Sequence, residues 1–140
     1  MAGRTPAQLY ALVFGAVLLL VGIVGFFLSA SFATGEAVAQ NKATLILFDI
    51  NGWHNVIHLA SGAVGLAMAA TPASARIFAL GFGVVYALVT VLGFVATSDM
   101  NVLLGIIPIN VADNLLHLAI AALGIAAGLA SSAAPSPSTA

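Results

Sequence analysis

Long apolar stretches separated by short polar ones dominate this chain, and their lengths set its elements. Leu9–Leu28 carries no charge and no strongly polar group, and Ile77–Ala96 is interrupted only by Thr90. Each matches the roughly 20 residues a helix needs to cross a ~30 Å hydrocarbon layer. Two shorter apolar runs, Val56–Ala70 and Leu115–Ala130, each contain one histidine. Extended back to Gly52 and Val111, they reach about 19–20 residues, enough to span at ~1.5 Å per residue. The pattern predicts an all-α membrane protein with four transmembrane helices, over about 7–29, 52–70, 75–97 and 111–130. Residues 1–130 then form one transmembrane domain. Barrel strands are excluded because the runs do not alternate, and open sheet edges leave backbone groups unpaired in lipid.

The pattern also repeats. Residues 9–27 superpose on 77–95 with 9 identities in 19 positions, and 50–69 on 109–128 with 9 in 20. Apolar composition alone produces some of these matches, but not the shared Asn and His of Ile50-Asn-Gly-Trp-His-Asn-Val-Ile-His and Ile109-Asn-Val-Ala-Asp-Asn-Leu-Leu-His. The chain therefore reads as a duplicated two-helix hairpin. Each unit holds an even number of crossings, so a pseudo-twofold axis along the membrane normal should relate them. The first connecting loop is longer than the second, and its Thr44–Phe48 run is too short to span. That run is expected to lie at the lipid interface or over the repeated motif. Residues 131–140, rich in Ser, Pro and Ala, are expected to be a disordered cytoplasmic tail.

Composition agrees with the periodicity. Only 5% of residues are charged against 62% hydrophobic, where a soluble domain carries about a quarter charged residues. Arg4 and Arg76 fall on one side of the predicted helices and Lys42 on the other, which places both termini in the cytoplasm. A net charge of −1 offers no basic patch for nucleic acid, and the absence of cysteine removes disulfides and thiolate metal sites. The first run is too long for a typical signal-peptide core, and the repeat requires it, so it is expected to remain as a helix.

The chemistry must then sit in the repeated motif. His58 shares a helical face with Gly62, Gly65 and Ala69, and His117 with Ala121, Gly124 and Gly128. Small residues mark the packing face of a membrane helix, so both histidines should point into the bundle, with His54 and Asp113 one turn nearer the outer surface. Asn110 with Asp113 resembles a capping box, and Asn51 with His54 is its weaker copy. Asn55 and Asn114 are candidates for hydrogen bonds across helices. The asparagines Asn51, Asn55, Asn110 and Asn114 thus read as a structural polar cluster.

Three readings compete for the histidines. One is a polar network of His58 and His117 with Asn55, Asn114 and Tyr86 that keeps the repeats in register. In the second, His54, His58, Asp113 and His117 form a four-ligand site for zinc or another divalent metal. In the third, His58 and His117 bind haem iron or the magnesium of a (bacterio)chlorophyll. Tyr10, Phe32 and Trp53 read as interface anchors, and Gly15, Gly22, Gly25, Gly83 and Gly93 as helix contacts. Asp49 and Asp99 read as solvated loop carboxylates. There is no Gly-rich phosphate loop, no Ser/His/Asp order and no carboxylate pair in a cleft, so an enzyme is disfavoured.

Asn51-x-x-His54-Asn55-x-x-His58 and Ile107-Pro-Ile-Asn110-x-x-Asp113-Asn114-x-x-His117 resemble the signatures of a family of small four-helix bacterial membrane proteins, domain of unknown function 4383. The resemblance runs from about Leu9 to Leu129 and implies a bacterial inner-membrane location, with no activity attached. The expectation is a structural or accessory membrane protein in the lipid bilayer, packing on a larger complex or on its own copies. A metal-, haem- or pigment-binding protein is the alternative.

Overall fold

A computed structural model describes residues 3–95 and 101–131. Four long helices dominate: α1 (Pro6–Leu28), α3 (Gly52–Met68), α4 (Pro72–Val95) and α5 (Val111–Leu129). The short α2 (Ala37–Gln40) and the hairpin β1 (Ala43–Leu45)–β2 (Phe48–Ile50) lie between α1 and α3. A second hairpin, β3 (Val102–Leu103)–β4 (Ile107–Pro108), lies between α4 and α5. Asp99 and residues 132–140, most of the tail, fall outside the described residues.

Local chemistry explains the boundaries. Thr5 caps α1, accepting from the Gln8 N–H at 3.2 Å while the Gln8 side chain accepts from Thr5 N–H at 3.1 Å, and Pro6 holds the first helical position. Asn51 and Asn110 cap α3 and α5 as their spacing predicts, and Asp113 completes a capping box with Asn110. Among the described residues three helices, α1, α4 and α5, are long and apolar enough to cross a membrane. α3 has 17 residues, about 25 Å at 1.5 Å per residue, and is shorter than the expected 52–70 because it ends at Met68. Outward-facing side chains are apolar along the long helices: Phe27 is 86% exposed and Ile77 66%. Burying such surface requires lipid or a partner, and lipid fits the composition.

α1 packs along α3 and α4 along α5, with α1 also meeting α4. Glycines permit the approach. A Cβ on Gly15 would lie 2.8 Å from Leu66 N and 3.1 Å from Gly62 O; one on Gly83 would lie 2.9 Å from Ile125 N and 3.0 Å from Ala121 O. These positions correspond under the 68- and 59-residue offsets of the sequence repeat. A Cβ on Gly25 would collide with the Asn55 amide, and one on Gly93 with the Asn114 amide. At the opposite end the Gln8 side chain donates to Ala69 O and Arg76 Nε to Gly128 O, each at 3.1 Å. Matching positions therefore make matching contacts from end to end.

The core differs from expectation at Tyr10. It is no interface anchor: the ring is buried and its hydroxyl donates to Ile120 O at 3.0 Å. The hairpins were also not anticipated. Each is a pair of two- or three-residue strands.

Candidate functional site

The two hairpins roof the helix starts, and the cap asparagines tie them down crosswise. Asn51, whose Oδ1 accepts from His54 N–H, donates Nδ2 to Ile106 O in the turn of the β3–β4 hairpin at 2.7 Å. Asn110, whose Oδ1 accepts from Asp113 N–H, donates Nδ2 to Leu47 O in the turn of the β1–β2 hairpin at 2.9 Å. Each asparagine therefore satisfies its own helix end and reaches the hairpin of the other half. The Thr44–Phe48 run lies over the motif as part of this roof.

Asp113 adds a third strap. Its Oδ2 accepts from its own cap, Asn110 N–H at 2.9 Å, and from Asp49 N–H on β2 at 3.1 Å. The position matching Asp49 in the second half is Pro108, which has no N–H. The position matching Asp113 is His54, which instead uses Nδ1 with Asp49 O at 2.9 Å. A carboxylate at 54 would lack the N–H from the other half that Asp113 has, which accounts for the one unlike pair among the motif's four Asn, His and Asp positions.

Asp49 is buried rather than solvated. Only 6% of it is exposed, and its carboxylate accepts from Lys42 Nζ and from the Thr44 hydroxyl. Sequence reasoning missed this because the burial comes from the hairpin. Lys42 and Thr44 lie seven and five residues before Asp49, and only the strand reversal at Ile46 and Leu47 brings them to its carboxylate.

The histidines gather beneath the roof. The His54 and His58 ring centroids are 4.4 Å apart, those of His54 and His117 6.3 Å, and Tyr86 meets His117 edge-on at 5.0 Å. The predicted asparagine–histidine network is not what forms. Asn55 donates to Ser29 O at 2.8 Å, and the Nδ1 atoms of His58 and His117 are buried without a hydrogen-bond partner. Neutral imidazole can donate from one nitrogen and accept at the other, so each ring keeps unused capacity.

Two cavities flank the histidine pair. The larger, about 280 Å³, lies between α3 and α4 beneath β3–β4; the smaller, about 170 Å³, lies between α1 and α5 beneath β1–β2. His58 and His117 line both. Among the described residues no three His, Asp or Glu side chains are grouped to hold a metal ion.

No curated protein and no solved structure matches the chain. Residues 8–130 do match one family profile, spanning all four long helices and the histidine cluster. The chain belongs to the family described as a domain of unknown function, DUF4383.

Proposed function

We propose that this protein is a structural or accessory component of the bacterial inner membrane. It crosses four times as a duplicated two-helix hairpin, with both termini cytoplasmic and a polar latch locking the halves at the outer end. The reciprocal pair of straps from Asn51 to Ile106 O and from Asn110 to Leu47 O carries this reading. Asn51, Asn110 and Asp113 each reach from one half to the other, as the ties of a scaffold would. α3 is short, but its outward residues Val56, Ile57 and Val64 are apolar and exposed, and modest bilayer thinning accommodates such a length. Arg4 and Arg76 at one end and Lys42 at the other support the orientation. The exposed apolar flanks would pack on a larger membrane complex or on further copies of the chain.

Melting of the purified protein in detergent tests the latch. Asn51→Ala and Asn110→Ala should each cost about 1–2 kcal/mol, since each removes a cap and a strap. His58→Asn should cost less. The latch is refuted if both asparagine variants melt like the parent.

A second reading, a metal, haem or (bacterio)chlorophyll held by His58 and His117, is supported by their unpartnered Nδ1 atoms. A four-ligand site with His54 and Asp113 would require Asp113 to release two backbone N–H groups and His54 to rely on Nε2. Protein from native membranes should absorb only through Trp53 and the tyrosines. A Soret or red pigment band lost in His58→Ala would establish the second reading and displace the first.

A further inference from the structure

The two cavities occupy matching positions, yet their polar walls differ: His54 lines the larger where its counterpart Asp113 lines the smaller. Tyr86 and Ser61 line the larger cavity where the smaller has their repeat counterparts, Leu18 and Ile120. A purely apolar space needs no hydroxyls on its wall. Tyr86 is 6% exposed, and beside it lie His117, also 6% exposed, and His58, 9% exposed, each with its unpartnered Nδ1. Five groups able to hydrogen-bond, His54 among them, thus surround one cavity, and Tyr86 and Ser61 have apolar counterparts around the other. Among the described residues no Asp, Glu, Lys or Arg side chain lines the larger cavity. A charged ligand group would remain uncompensated there.

The remaining walls are apolar, and Val85 on α4 is 52% exposed while still lining the cavity. The gap between α3 and α4 therefore opens sideways, toward lipid. We propose that this cavity binds a lipid-soluble molecule whose neutral head bears carbonyl or hydroxyl oxygens. The head sits against Tyr86, Ser61 and the histidine pair, and the apolar tail leaves between α3 and α4. A quinone ring and a glycerolipid ester both have this chemistry. The proposal goes beyond the scaffold reading and stands or falls separately from the latch.

The test is calorimetric titration of the intact protein in maltoside micelles with decylubiquinone and, separately, with dioctanoylglycerol. Saturable binding of at least one is expected; the quinone alone identifies a ring dicarbonyl site, and the glycerolipid alone an ester site. Tyr86→Phe keeps the ring and should weaken binding about five- to tenfold, the loss of one hydrogen bond. Val85→Trp should abolish it, whereas Val17→Trp, the matching change beside the smaller cavity, should leave it within about twofold. Melting curves would confirm that each variant is folded. Failure of both probes to saturate overturns the site. Equal effects of Val85→Trp and Val17→Trp would mean unspecific partition and also overturn it. Unchanged binding in Tyr86→Phe would overturn the assignment of the head.

Discussion

A few atoms decide how closely this fold can pack. Gly25 and Gly93 sit against the amides of Asn55 and Asn114, and no side chain larger than hydrogen fits there. Gly25→Ala and Gly93→Ala should each destabilise the protein by about 1–3 kcal/mol, the usual cost of overpacking. Gly81, whose Cβ would meet nothing within 4 Å, should accept alanine freely. Melting of the three variants in one detergent checks the contrast. Much of this scale was legible in the sequence: the glycine stripe, the asparagine caps and the inward histidines follow from helical spacing alone. Tyr10 was not, because an aromatic near a helix end looks the same whether its hydroxyl finds water or the Ile120 carbonyl.

Among the elements, the helices declare themselves through uninterrupted apolar length, whereas the hairpins do not. Ile46 turns the β1–β2 hairpin with φ 61°, where glycine or asparagine would have signalled a turn, and Leu104 turns the other with φ 53° beside Gly105 at φ 71°, a lone glycine between two very short strands. Those turns are held by Asn110 and Asn51 from the opposite half, a contact no local pattern announces. The same hairpins explain the one mismatch among the Asn, His and Asp positions of the motifs. His54→Asp alone should destabilise the protein by about 1–3 kcal/mol, since its carboxylate would lack the second backbone donor that Asp113 finds in Asp49 N–H, Pro108 having none. Combining it with Pro108→Ala supplies that N–H and should recover most of the loss. A double-mutant cycle by denaturation measures this coupling, and additive effects would separate the two positions.

For the molecule as a whole, the proposed architecture has all four long helices crossing the membrane, α3 included, although its 17 residues and polar first turn make it the weakest candidate. Sequence periodicity points to that crossing through the repeat with α5, and apolar side chains on its outer face agree. The chain has no cysteine of its own, so single cysteines report location without background. The most direct measurement is labelling of the exposed positions Gly3→Cys, Asn41→Cys, Thr71→Cys and Ala130→Cys in intact cells with a membrane-impermeant maleimide. Asn41→Cys should label from outside, once the outer envelope is made permeable, and the other three only after the inner membrane is opened. Labelling of Thr71→Cys from outside together with Asn41→Cys would mean that α3 does not cross, and would contradict the four-helix architecture.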